Sequence, residues 1–191
     1  LVPEEEYKTR LIMDLNKVFP NWEDGDAESG SKNLKTVDVV NCELKICIEI
    51  KDDTMSQPMP SVILGRSSTD YDSKTLNKRL YKDIRSANKK FRNYPACRTI
   101  LLFRTKLEFP GLVREAVEGI RTFIKSSTMR DLIDCGRLGK HNRHEIGCFL
   151  IDSEEKFYYF QNQFANSSRD ITKQEAEKIF GQNLNDISQY L

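Results

Sequence analysis

The chain contains no apolar run approaching the roughly 20 residues that span a bilayer, and 31% of its residues are charged. Both facts point away from a membrane protein and predict no membrane partner. Its first residues, Leu-Val-Pro-Glu-Glu-Glu, lack the basic start and apolar core of a secretory signal. They also lack an initiator Met, as expected of a processed or trimmed chain. No CxxC occurs among Cys42, Cys47, Cys97, Cys135 and Cys148, and their number is odd. This pattern predicts reduced thiols and an intracellular protein, cytoplasmic or, in a eukaryote, nuclear. There is no Gly-rich phosphate loop, no serine-hydrolase elbow and no internal repeat. A formal net charge of +1 names no partner by itself.

The charge is unevenly distributed. Residues 74–92 carry Lys74, Lys78, Arg79, Lys82, Arg85, Lys89, Lys90 and Arg92 against the single acid Asp83. A local excess of this kind attracts a polyanion whatever the total. Leu76, Leu80, Ile84, Ala87 and Phe91 recur at helical spacing through the same segment, so the basic residues fall largely on the other face of one amphipathic helix.

The remaining periodicities order the elements. Leu11, Leu15 and Val18 predict a first helix from about Glu5 to Phe19, stopped by Pro20. Residues 23–33 are polar and Gly-containing and predict a loop. Leu44, Ile46, Ile48 and Ile50 alternate with Lys45, Cys47, Glu49 and Lys51, which predicts the second strand of a hairpin within 37–51. A long Pro/Ser-containing loop over 52–71 follows, then the basic helix, then Thr99–Phe103, an unalternating strand buried on both faces. Further on, two helices are expected near 113–124 and 129–135. A second hairpin is expected from EIGCFLID and KFYYFQN, and a capping box from Thr172 and Glu175 on a helix ending near Gly181.

The first hairpin carries Asp38, Glu49 and Lys51 on what should be its wet face. With a turn at Cys42-Glu43, Asp38 faces Cys47 and Glu49 is its diagonal neighbour, roughly 7–8 Å away. Two facing carboxylates repel, and a divalent cation removes the conflict. Mg²⁺ takes oxygen ligands, often one or two carboxylates completed by water and phosphate oxygens. Lys51 projects to the same side, where an ammonium can hold a water or stabilise charge developing on phosphorus.

Asp38 in VDVV and Glu49-Ile50-Lys51, ten residues on, resemble the PD-(D/E)XK nuclease superfamily, also called restriction-endonuclease-like. The resemblance covers about residues 4–104; Val37 replaces the family's usual proline. It implies an α/β fold whose core is a helix, a three-strand meander, a helix and a strand. Residues 1–104 would form this core, and 105–191 a C-terminal α+β extension with a second hairpin packed on the same domain. The missing first strand would come from 31–35 or the region near Trp22. It implies a Mg²⁺- or Mn²⁺-dependent phosphodiesterase, with the metal on Asp38, Glu49 and the Ile50 carbonyl and with Lys51 catalytic. It implies a further acid on the first helix, for which Glu6 is the candidate. One branch carries Gln-xxx-Tyr on the second helix, where this chain has Asn77 and Tyr81. Glu28–Lys32 (ESGSK) before Asp38 also looks like the serine-bearing loop of archaeal Holliday junction resolvases. Ser31 and Lys32 thus join Lys74, Lys78, Lys82, Arg85 and Lys89 as expected nucleic-acid contacts.

The function so implied is an endodeoxyribonuclease, with DNA favoured over RNA and homodimerisation open. The alternatives are a non-catalytic nucleic-acid-binding module on the same fold, or an RNA endonuclease of the viral cap-snatching type. Cys135, His141, His144 and Cys148 have zinc-compatible chemistry, but their C-x5-H-x2-H-x3-C spacing matches no finger. The histidines are better read as loop residues. In the aromatic run Phe157–Phe160, base stacking competes with simple alternation of core and surface rings.

Overall fold

A computed structural model describes residues 2–28, 35–52, 73–104, 144–152, 156–162 and 165–186, with backbone alone for 27–28 and 73–81. Helix α1 runs over Glu4–Val18. Glu4, Glu5 and Glu6 fill its first turn, where the helix dipole favours acids. Leu11 and Leu15, one turn apart, bury its inner face. Phe19 closes the helix, and Asn16 then grips the backbone of buried Trp22 through two 3.0 Å hydrogen bonds.

Of the stretch 23–33 expected to be a loop, the described residues 23–28 form β1 (Glu23–Asp24) and a single turn, α2 (Gly25–Glu28). Two contacts override its loop-like composition. Gly25 lies so close to Val37 that a Cβ there would overlap the Val37 carbonyl oxygen. Buried Lys8 pairs with Asp24 at 2.9 Å and with Glu5 at 3.1 Å. The strand near Trp22 is thereby supplied, at the edge of the sheet.

Next come β2 (Val39–Asn41) and β3 (Ile46–Asp52), antiparallel, joined by a four-residue turn. The turn is two residues longer than expected because Asn41 Oδ1 accepts the Leu44 N–H at 2.9 Å and Lys45 takes the left-handed conformation (φ 53°). The register therefore shifts. Val39 faces Ile48 and Val40 faces Cys47, not the pairs a two-residue turn would give, and Asp38, just before β2, and Glu49 both come within reach of Lys90.

Helix α3 (Ser73–Phe91) crosses to β4 (Arg98–Arg104), which pairs parallel with β3. Strand β5 (Cys148–Asp152) is parallel to β4, and β6 (Phe157–Gln161) is the antiparallel return of the second hairpin. Helix α4 (Lys173–Phe180) begins at the Thr172–Glu175 capping box and ends at Gly181 in the left-handed region (φ 64°); β7 (Asn185–Asp186) is parallel to β6. Among the described residues the strands form one mixed seven-stranded sheet in the order β1 to β7. The fold is α/β, and the strands after residue 105 extend the sheet that the first half begins. No described helix is long and apolar enough to cross a membrane. The helices expected near 113–124 and 129–135, and the loop expected over 52–71 apart from Asp52, which ends β3, lie outside the described residues.

Alternation assigns the two faces. Ile46, Ile48, Ile50, Ile100, Leu102 and Leu150 pack with α1 and α4 on one side. Val40, Cys47, Leu101, Phe103 and Phe149 pack with Ile84, Ala87 and Phe91 of α3 on the other. Strand β4 is buried on both faces, as its unalternating sequence predicts. Asp38, Glu49 and Lys51 share the α3 side. Their face is therefore covered, not wet.

Two arginines brace the sheet. Arg169 is buried, pairs with Glu145, and donates to the carbonyls of Phe91, Tyr94 and Cys97. It thereby ties together the turn that follows α3. Arg104 pairs with Asp52 at 3.2 Å, donates to Val2 O at 2.6 Å and lies over the Tyr7 ring. It ties the start of α1 to the carboxyl ends of β3 and β4.

Candidate metal centre

Glu49 is 0% exposed and Asp38 8%, which rules out an ordinary solvated ion pair on a strand surface. Asp38 precedes β2, and its Oδ2 accepts the Ile50 backbone N–H at 2.6 Å. In a strand the N–H and C=O of one residue point to the same edge, so the Ile50 carbonyl faces the edge that Asp38 occupies. Lys51 Nζ donates to Glu49 Oε1. Lys90, reaching in from α3, places its Nζ 2.8 Å from the same oxygen and 3.7 Å from Asp38 Oδ1. Among the described residues, Glu49 Oε2 is buried and has no hydrogen-bond partner.

This arrangement shifts the acids. Burial pushes the Glu49 carboxyl up to about 7, the Asp38 charge adds to the rise, and Lys51 and Lys90 oppose it. For Lys90, desolvation favours the neutral amine, but the Glu49 and Asp38 charges outweigh it and its affinity for the proton is raised. Glu4, at the start of α1, is also raised, by desolvation first and then by the charges of Asp38 and Asp52.

The donor set suits a hard divalent cation. An unpartnered carboxylate oxygen, a second carboxylate sharing the same lysine and a backbone carbonyl are the ligand types Mg²⁺ and Mn²⁺ accept, with water completing the shell. Among the described residues no three His, Cys, Asp or Glu side chains converge to form a cage of protein ligands. Such an ion would have to share its shell with water or substrate.

The fold brings Asp38, Glu49, Ile50 and Lys51 together and leaves Glu6 apart. Glu6 is exposed and pairs with Arg10 one turn on, whereas Glu4 is the helix acid within electrostatic reach of Asp38. Lys82, Arg85 and Lys89 are exposed on α3. Lys74, Lys78, Asn77 and Tyr81 lie on α3 with their side chains outside the described set, as do Ser31 and Lys32 entirely. The missed residue is Lys90. Its signal was present, since position 90 lies three residues after buried Ala87 and next to buried Phe91, on the inner flank of the helix.

Of the zinc-compatible set, Cys135 and His141 lie outside the described residues. Cys148 is buried within β5, and His144 borders an open cleft of about 550 Å³ with Arg92, Glu145 and Asn166. Tyr159 and Phe160 are buried while Phe157 and Tyr158 are half-buried, and the Phe149 and Phe160 rings meet edge to face at 5.8 Å. The aromatic run is thus core packing. No protein-family model, curated protein or solved structure matches the chain.

Proposed function

We propose that this protein is a divalent-metal-dependent nuclease of PD-(D/E)XK type that hydrolyses phosphodiester bonds, with DNA as its favoured substrate. The observation that carries the reading is the buried pair Asp38–Glu49, both met by the Lys90 ammonium, with Lys51 on Glu49 and one Glu49 oxygen unpartnered among the described residues. The element order supports it: a helix, a three-strand antiparallel meander, a crossover helix and a parallel strand.

Asp38 Oδ1, Glu49 Oε2 and the Ile50 carbonyl would hold Mg²⁺ or Mn²⁺. The ion supplies Lewis acidity toward a phosphoryl oxygen and a more acidic bound water. Asp38 is held in place for this by the Ile50 amide. Lys51 Nζ orients the attacking water or meets the negative charge that grows on phosphorus. Glu4 lies where an additional acid from α1 bears on the site, and the exposed bases of α3 grip the phosphate backbone. A second reading, a binding module without catalysis, draws on the two lysines that already neutralise the two carboxylates.

The test is cleavage of labelled duplex, junction, single-stranded DNA and RNA with Mg²⁺, Mn²⁺ or EDTA. The nuclease reading expects metal-dependent cleavage that Asp38→Asn abolishes. Metal-independent binding with no cleavage of any substrate would establish the binding module instead.

A further inference from the structure

Two lysines touch Glu49, but they sit differently. Lys51 pairs with Glu49, a neighbour on its own strand. Lys90 comes from another element and stands between both acids, 2.8 Å from Glu49 Oε1 and 3.7 Å from Asp38 Oδ1. Its backbone is anchored, because Arg169 holds the carbonyls of Phe91, Tyr94 and Cys97 at the end of α3. Its side chain is 21% exposed, so the ammonium has a route outward along a flexible four-carbon stem.

A cation ligated by both carboxylates would sit about 2.0–2.1 Å from their oxygens. The Lys90 ammonium stands beside that position, on Glu49 Oε1 and toward Asp38 Oδ1, so its like charge opposes a cation held by the same two carboxylates. We propose that Lys90 is the resident cation of the Asp38–Glu49 pair, displaced when a divalent ion binds and then free to take a substrate phosphate on the α3 side. The inference rests on the reading of Asp38 and Glu49 as a metal site.

Two consequences follow. In the free protein the lysine competes with the metal, so removing its charge tightens metal binding. A phosphate that receives the displaced ammonium makes displacement easier, so metal and nucleic acid bind cooperatively, and the coupling is reciprocal.

The experiment is calorimetric titration of Mn²⁺ into the full chain, as wild type, Lys90→Gln, Lys90→Arg and Asp38→Asn, at fixed pH and ionic strength. Lys90→Gln should bind Mn²⁺ at least about tenfold tighter than wild type, the scale of removing one like charge a few ångströms away after screening. Lys90→Arg keeps the charge and should not tighten. Ca²⁺ titrations with and without an oligonucleotide should show metal–nucleic-acid coupling in wild type and its loss in Lys90→Gln. Equal or weaker Mn²⁺ binding by Lys90→Gln, with binding still abolished in Asp38→Asn, would overturn the Lys90 role and leave the metal site standing. No Mn²⁺ binding in wild type or Lys90→Gln would remove the metal site and this inference with it.

Should Lys90→Gln fail to fold, lysine methylation of the wild type read by mass spectrometry gives the answer. Lys90 should be protected in EDTA, more reactive in Mn²⁺ and protected again by an oligonucleotide. Reactivity unchanged between EDTA and saturating Mn²⁺ refutes displacement.

Discussion

Asp38 Oδ2 accepts the backbone N–H of Ile50 at 2.6 Å, so one carboxylate both caps a strand amide and faces the candidate metal position. The two duties separate by mutation. Asp38→Asn keeps an acceptor for the amide, whereas Asp38→Ala leaves a buried N–H unsatisfied, which costs on the order of 1–3 kcal/mol. In EDTA, Asp38→Asn should melt close to wild type and Asp38→Ala clearly below it. Mn²⁺ should raise the melting temperature of wild type by mass action and of neither variant. A metal-induced rise that survives in Asp38→Asn removes this carboxylate from the site.

The exposed bases of α3 make a separate prediction. Lys82, Arg85 and Lys89 should contact phosphates, not bases. Alanine at any one of them should weaken nucleic-acid binding uniformly across sequences. It should also lower the steepness of log affinity against log salt by about one. Binding measured from low to moderate salt gives the slope. A slope that none of the three substitutions alters would make these residues a solvated face only.

Much of this geometry is readable from local pattern, and the failures have local causes. The period of two in Ile46–Lys51, the apolar spacing on α1 and α3 and the Thr172–Glu175 box each act within one element, and each element formed where its pattern lay. The hairpin register did not follow from pattern, because it turns on the Asn41 side-chain bond and the left-handed Lys45. Strand β1 was hidden because its two residues are polar and join the sheet through Gly25, Lys8 and Trp22. Three consecutive acids open α1, and only the rotation of the helix against the sheet brings Glu4 within reach of Asp38 while Glu6 pairs outward with Arg10. Lys90 needed that same knowledge of how α3 lies on β3.

Lys51 distinguishes a catalyst from a binder. Its ammonium cannot ligate a metal while protonated, so its contribution falls on the water or the developing charge. Such interactions strengthen in the transition state, and losing them lowers turnover more than affinity. Lys51→Ala should retain nucleic-acid binding in Ca²⁺ and the Mn²⁺ thermal shift, yet lose at least about 10²-fold in single-turnover cleavage. Lys51→Arg should not restore the rate, because the planar fork cannot occupy the place of the compact ammonium. Cleavage by Lys51→Ala at the wild-type rate would end this mechanism.

Glu49 should set the pH dependence of the metal-free protein. Its carboxyl is raised to about 7, from 4.5 in the unfolded chain, by burial first and the Asp38 charge second. Between those values the folded state binds more protons than the unfolded state, so stability falls as pH rises through the window and levels off above it. The full effect is on the order of 3 kcal/mol. Glu4 is shifted the same way, so the measurement must isolate Glu49. Glu49→Gln does so, because the amide resembles the protonated acid and does not titrate. In EDTA, the stability of Glu49→Gln relative to wild type should rise from pH 4.5 to pH 7 and then stay flat. Mn²⁺ favours the ionised carboxylate, so its stabilisation of wild type should weaken as pH falls below 7 and be absent in Glu49→Gln. Denaturant unfolding across this range, with and without Mn²⁺, gives both curves. A constant difference between the two proteins from pH 4.5 to 8 would mean that Glu49 is ionised throughout and that its two lysines outweigh its burial.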